Sequence, residues 1–240
     1  MIKTDLQEYG NVTSIISIQN LLIILLAIFF GVIAYIFIMP SVLPELSTSL
    51  TGQDPKFFWY LSRGSAIAAF CLLWLSMVIG LLMSNKIARV WFGNAIAYEL
   101  HQFVSLLGIG FVIFHAMILL GDRYIGFNLV SLFLPFMNTN YRPLWVGLGQ
   151  ISFYFWIIIA FSFYVRSKLG TKIWRGIHYI SFALYFFGLI HGIMSGTDTG
   201  SLWAAGMYWL SGAVLLFLVT YRVLSSFAKR FIWSTSRESK

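Results

Sequence analysis

The histidines are the residues of this sequence whose type and spacing could support chemistry. The chain has four of them: His101 and His115 stand fourteen positions apart, and His178 and His191 stand thirteen apart. The residues inside each pair are almost wholly apolar, in the stretches HQFVSLLGIGFVIFH and HYISFALYFFGLIH. Imidazole binds metals and carries protons, and ionisable residues within apolar helices usually mark a site. The spacing therefore predicts two imidazole pairs that act at two depths of one structure.

The elements that must position these histidines are membrane-spanning helices. Of 240 residues, 59% are hydrophobic and only 10% are charged, and the mean hydropathy is +0.83. A soluble domain of this size cannot bury so much apolar surface, and a bilayer core takes about 20 apolar residues per helix. We predict an all-α integral membrane protein, a bundle of six transmembrane helices with these spans: 21–39, 60–83, 97–120, 144–166, 174–195 and 203–222.

Basic residues are concentrated on one side of the predicted bundle. By the positive-inside rule this side is cytoplasmic, so both termini are expected there, in a multi-pass protein of the plasma or inner membrane. We expect a cytoplasmic segment at 1–20, the six-helix domain at 21–225 and a short basic tail at 226–240. The net charge of +8 thus reflects topology, and no nucleic-acid partner is expected. The basic residues after spans two, four and six are Lys86, Arg89, Arg166, Lys168, Lys172, Arg175, Arg222, Lys229, Arg230, Arg237 and Lys240.

This topology pairs the histidines by depth. The third and fifth spans both run outward, so His101 and His178 share the cytoplasmic level and His115 and His191 share the outer level, roughly 20 Å away. Two imidazoles from facing helices form the axial pair that holds a b-type haem. Zinc normally takes four ligands, and neither helix supplies the others. We predict two b haems stacked between the third and fifth spans.

Helical periodicity complicates this picture in the fifth span. Fourteen steps return a helix to within about 40° of its starting face, whereas thirteen leave about 140°. We therefore expect the fifth span to be strongly tilted, or distorted near Gly188, so that both of its histidines reach haem. Gly108 and Gly110, in the third span, would let a flat macrocycle approach the backbone or would let helices pack closely.

The segment between the third and fourth spans, GDRYIGFNLVSLFLPFMNTNYRP, is apolar for an aqueous loop. One interpretation places it along the membrane surface. The other is that it folds over a site between the helices.

The four histidines, with SRGSAIAAF at the start of the second span and KLGTKIWRGIH leading into the fifth, resemble the ferric reductase-like transmembrane domain. The resemblance covers about residues 60–222. This superfamily includes ferric reductases, NADPH oxidases and the haem subunit of the bacterial periplasmic methionine sulfoxide reductase system. The resemblance implies six helices, two haem b groups and electron flow from the cytosol outward. His101 and His178 would hold the inner haem, and His115 and His191 the outer one.

Two arginines are further candidates for cofactor binding. Arg63 begins the second span on its outer side, where it could pair with a haem propionate or an anionic acceptor, or act as an interfacial anchor. Arg175 precedes His178 by three residues. With Lys172, it could serve the inner propionates or only set the topology.

Reductases and oxidases of this superfamily usually continue into a cytoplasmic FAD and NAD(P)H domain, whereas this sequence has only the segment 226–240 after its last span and contains no dinucleotide-binding fingerprint. We therefore expect an oxidoreductase component that receives electrons from a separate flavoprotein reductase or from quinol. Its acceptor would be a ferric chelate, oxygen or a periplasmic protein. One alternative is a haem subunit dedicated to a periplasmic reductase. Another is a haem-free transporter that uses its histidines for protons or packing.

Overall fold

The computed structural model describes residues 56–87, 93–122, 126–137 and 140–238, together with isolated positions between 19 and 33. From residue 56 onward, every regular element in the described residues is a helix. The helices are α1 (Lys56–Ser84), α2 (Asn94–Ile118), α3 (Leu129–Phe133), α4 (Pro143–Tyr164), α5 (Arg166–Ser195) and α6 (Leu202–Glu238).

Five of these helices are long and apolar enough to cross a membrane, namely all but the short α3. They confirm the second to sixth predicted spans and support a multi-pass membrane protein. Large apolar side chains on them face outward, for example Trp209, which is 81% exposed, and Leu216, which is 69% exposed. Such surface is rare on a soluble protein and suits contact with lipid. The predicted first span, 21–39, lies largely outside the described residues, so the six-helix count and the positions of the termini stay predictions.

The last helix is longer than predicted. It continues from the predicted end of the span at 222 to Glu238. At 1.5 Å per residue its length is about 55 Å, which exceeds the roughly 30 Å of a bilayer core. The reason lies in the sequence, because no glycine or proline occurs after Gly212 to end the helix.

The fifth helix departs from helical dihedral angles only at Gly170, where φ is 75° and ψ is 158°. Glycine adopts such a positive φ at no steric cost. The expected distortion near Gly188 is therefore wrong, because the missing side chain of Gly188 permits a kink without requiring one. The helix stays regular through both histidines, so His178 and His191 leave it in directions about 140° apart.

The described chain divides into two compact units. The first contains Leu106–Gly196 and the described residues up to Phe70, and the second contains Cys71–Ser105 and the described residues from Thr197 onward. In the first unit α4 packs along α5. The buried Ser152 hydroxyl donates to the Leu184 carbonyl at 3.0 Å.

A short helix, α3, folds the segment between α2 and α4, called the outer segment after its predicted side of the membrane, back onto α4. The Asn128 side chain caps its N-terminus, and Ser131 completes the capping box. At the other end, the Gln150 amide of α4 donates to the carbonyls of Ser131 and Leu132 at 2.8 and 2.7 Å. These bonds satisfy carbonyls that the end of a helix would otherwise leave without partners.

The residues after α3 tie the same segment to the end of α5. The Tyr141 hydroxyl donates to the Ser195 carbonyl at 2.7 Å, and the Arg142 guanidinium donates to the Met194 carbonyl. Arg142 has a φ of 42° and directly precedes Pro143, the first residue of α4. Of the two interpretations of this segment, the contacts favour the one in which it folds over the helices.

Candidate functional site

The structure brings the two predicted outer histidines together within the first unit. The ring centres of His115, on α2, and His191, on α5, lie 6.5 Å apart, and the ring planes are inclined by 70°. Both side chains are half-buried. They come close to each other from two different helices, so both could hold one metal or cofactor.

A backbone carbonyl fixes the tautomer of each neutral ring in this pair. The Nδ1 atom of His115 lies 2.9 Å from the Ser62 carbonyl oxygen, and that of His191 lies 2.9 Å from the Trp145 carbonyl oxygen. A carbonyl can only accept, so Nδ1 carries the proton and donates in both rings. The lone pair is then on Nε2, the usual arrangement of a metal-binding histidine with its supporting hydrogen bond.

His101, in the second unit, is held in the same way. Its Nδ1 donates to the Ser76 carbonyl at 3.0 Å. In sequence, Ser62 and Ser76 are fourteen residues apart on α1, as His101 and His115 are on α2, and they contact these histidines in reverse order. Two antiparallel helices with matched spacing therefore make the same serine–histidine contact twice.

Small residues make room for the imidazole rings. A helical carbonyl points toward the residue four positions later, so an outside donor that reaches it must pass that side chain. Gly80 follows Ser76 by four, and a Cβ there would be 3.3 Å from His101 Cε1. Gly149 follows Trp145 by four, and a Cβ there would be 2.5 Å from His191 Nδ1.

Sequence reasoning missed these supporting residues, although a signal for them exists. On α1, Ser62 is followed four positions later by Ala66, and Ser76 by Gly80. These two serines are fourteen residues apart, the same spacing as between His101 and His115. Gly110, which was singled out from the sequence, behaves differently, since a Cβ there would meet nothing within 4 Å in the part of the chain that the structure describes.

Serine hydroxyls add a second layer around His101. The Ser76 hydroxyl lies 2.6 Å from that of Ser105, which donates to the His101 carbonyl at 2.7 Å. Because the Ser105 proton is used there, the Ser76 hydroxyl donates to Ser105. Its lone pairs then face the His101 Nδ1–H at 3.3 Å, which closes a ring of hydrogen bonds.

The predicted inner pair is divided between the units, with His101 in the second and His178 in the first, so it stays a prediction. Within the first unit, the ring of His178 lies against that of Trp174, one turn earlier on α5. Their centres are 5.5 Å apart and their planes are inclined by 34°.

The two candidate arginines differ in their surroundings. The Arg63 guanidinium lies over the ring of Trp59, 4.0 Å from its centre. Such stacking is a cation–π contact, typical of an anchor at the membrane interface. Arg63 also directly follows Ser62, which contacts His115. Arg175 is exposed on the first turns of α5. The roles proposed for both arginines in cofactor binding remain predictions.

The donor atoms suit haem better than a metal held by protein alone. Among the described residues, no group of three or more His, Cys, Asp or Glu side chains could hold a metal ion, and zinc normally takes four ligands. Haem iron needs only the two axial ligands from the protein. With metal–nitrogen bonds of about 2 Å, such ligands have ring centres roughly 6 Å apart, close to the observed 6.5 Å. The residues therefore fit the group.

No protein-family model, curated protein or solved structure matches this chain. The resemblance to the ferric reductase-like domain consequently rests on the residues quoted above. It stays a prediction, which the geometry of the histidines makes testable.

Proposed function

We propose that this protein is a di-haem b transmembrane electron-transfer protein of ferric reductase type. It would move electrons from a donor in the cytoplasm or membrane to an acceptor on the outer side. The observation that carries the proposal is the close pair His115 and His191, each with its Nδ1 proton committed to a backbone carbonyl. A haem bound by two imidazoles supplies reversible one-electron transfer.

The chain's own part is to present the ligand atoms in advance. The carbonyls of Ser62 and Trp145 hold the rings and place the proton of the neutral imidazole on Nδ1, so that Nε2 carries the lone pair. Because each carbonyl draws the Nδ1 proton toward itself, the ring becomes a more basic ligand. With Nδ1 committed in this way, Nε2 of each ring is the nitrogen left to bind a metal or to take up a proton.

The surroundings of the outer pair would keep water away and so help to set the potential. A buried apolar cluster in the first unit contains residues close in sequence to His115 and Trp145, including Met117 and Val146, which are 3% and 9% exposed. Burial, hydrogen bonds to the ligands and nearby charge are the means by which a protein tunes a haem potential. Phe127 and Leu132 of the outer segment complete the cluster.

The proposed partners follow from one-electron chemistry. A separate flavoprotein reductase or quinol would be the donor, because both can release electrons singly. A ferric chelate, oxygen or a periplasmic protein would be the acceptor. A chain dedicated to a periplasmic reductase would use the same two haems with only the last of these acceptors.

The test is a haem count on the purified chain. We expect a pyridine haemochromogen assay to give two b haems per polypeptide after expression with ample haem, and dithionite to reduce both. A chain that carries no haem under these conditions would overturn the proposal and favour a haem-free membrane protein. One haem would limit the proposal to a single histidine pair.

A further inference from the structure

A buried hydrogen-bond donor stands beside the predicted inner ligand. The indole nitrogen Nε1 of Trp174 is buried and has no hydrogen-bond partner among the described residues. The ring of the same residue lies 5.5 Å from that of His178. Buried polar groups nearly always have partners, so this donor requires an explanation.

The chemistry of the donor restricts what its partner can be. An indole N–H donates and cannot accept, so the partner must offer an acceptor atom. The cofactor proposed for His178 carries two carboxylates as its acidic groups. Carboxylates avoid the apolar core of a bilayer and take positions near its surface.

The position of Trp174 along α5 meets this requirement. It lies one turn from His178 toward the N-terminal end of the helix, where Lys172 and Arg175 are exposed. Under the predicted topology this is the cytoplasmic end. The two cations raise the local positive potential, which favours a carboxylate over a neutral acceptor.

We propose that the Trp174 Nε1–H donates a hydrogen bond to a carboxylate of the haem held by His178, so that Trp174 is a cofactor-binding residue. The inference rests on the proposed function and extends it to a residue outside the four histidines. It also gives a role to the aromatic residue of the sequence KLGTKIWRGIH.

The test compares haem with a derivative that has no carboxylates. The full chain with His115→Ala and His191→Ala, which leaves only the inner site, is prepared without haem from a haem-deficient host. In lipid nanodiscs it is titrated with iron protoporphyrin IX and with the dimethyl ester of the same porphyrin. We expect Trp174→Phe to weaken binding of the free acid about 10- to 100-fold, as for loss of a hydrogen bond to a charged group, and to weaken binding of the ester far less, because the ester carbonyl is an uncharged and weaker acceptor.

Two further variants keep the result interpretable. Trp209→Phe changes an indole that is 81% exposed on α6 and should alter neither titration. Trp174→Gln keeps an N–H donor and should bind the free acid more tightly than Trp174→Phe does. As a second readout, resonance Raman spectra should show a shifted propionate bending mode in Trp174→Phe alone.

The outcomes separate this inference from the proposed function. Equal weakening for acid and ester would mean that Trp174 only packs against the site, and unchanged binding of both would mean that it has no role; either result overturns the inference while leaving the haem assignment intact. If the parent chain binds neither porphyrin, the inner-haem assignment itself fails, and the role of Trp174 fails with it.

Discussion

His115 in the first unit and His101 in the second are held by the same helix in the same way, yet their surroundings differ. Each donates its Nδ1 proton to a serine carbonyl of α1, at 2.9 and 3.0 Å. Around His101, the Ser76 hydroxyl continues to Ser105 and back to the His101 carbonyl. At His115, the Ser62 hydroxyl likewise lies 3.2 Å from Nδ1, but the neighbouring Ser65 hydroxyl donates to the Leu61 carbonyl at 2.7 Å and also lies 3.0 Å from the Ser62 carbonyl oxygen. The carbonyl thus sets the tautomer of both histidines, and the neighbouring serines, Ser105 and Ser65, are what distinguish the two sites.

This difference suggests how one chain could give two haems different potentials. The Ser62 carbonyl, which shares the Ser65 proton with the Leu61 carbonyl, is a slightly weaker acceptor for His115. A serine whose own proton is used elsewhere is a better acceptor for His101. Hydrogen bonding to the ligand is one of the means that sets a haem potential. The variants below test this comparison, beginning with the largest expected effect.

Replacing one histidine ligand should remove the haem that it holds and leave the other haem in place. We expect His191→Ala to lower the haem content from two per chain to one and to abolish electron transfer to external acceptors, because no other imidazole replaces it at the outer level. The haem count and the rate of reoxidation by an external acceptor measure both effects. Two full haems in this variant would contradict the ligand assignment.

Filling the space beside a ligand should act less severely. Gly149→Ala would place a Cβ 2.5 Å from His191 Nδ1, so the ring must leave the Trp145 carbonyl. We expect outer-haem binding to weaken about tenfold or more, as overpacking of this kind costs about 1–3 kcal/mol. Haem content after detergent washing measures the loss.

Two other glycines calibrate that result. The Cβ that Gly80→Ala adds would lie 3.3 Å from His101 Cε1. Because this contact is less severe, the variant should affect the inner haem more mildly. At Gly206, a Cβ would meet none of the described residues within 4 Å, so Gly206→Ala is the matched control. If Gly149→Ala kept both haems at unchanged potentials, the proposed link between Gly149 and the outer ligand would be wrong.

Removing single hydroxyls should give the smallest and most selective effects. We expect Ser76→Ala to raise the potential of the inner haem only, by up to about 60 mV, because His101 loses an acceptor and becomes a weaker donor to ferric iron. Ser105→Ala should shift the same haem by less. Ser62→Ala should shift the outer haem only.

Spectroscopic redox titration of the two haems measures these shifts. The result that would break the comparison is a common shift of both haems by either serine variant. That outcome would mean that the serines act on the whole bundle and do not act on one ligand each.

Hydropathy and spacing alone were enough to predict five of the helices, because a transmembrane helix depends on a local run of about 20 apolar residues. They also singled out the outer pair, His115 and His191, whose ring centres the structure brings to 6.5 Å of each other. The kink was misplaced, at Gly188 instead of Gly170. Both glycines permit a break, and neighbouring contacts that the sequence does not display decide which one is used.

The sequence by itself therefore determined that the chain is helical, apolar and has histidines at the ends of two of its spans. Only the tertiary structure decided which carbonyl holds each ring. Ser62 and His115 are 53 positions apart, and Trp145 and His191 are 46 apart. Contacts of this kind depend on the register between helices, which arises from packing over their full length and which no single segment specifies. For the same reason Gly80 and Gly149 emerged as the glycines against the rings only after the helices were packed.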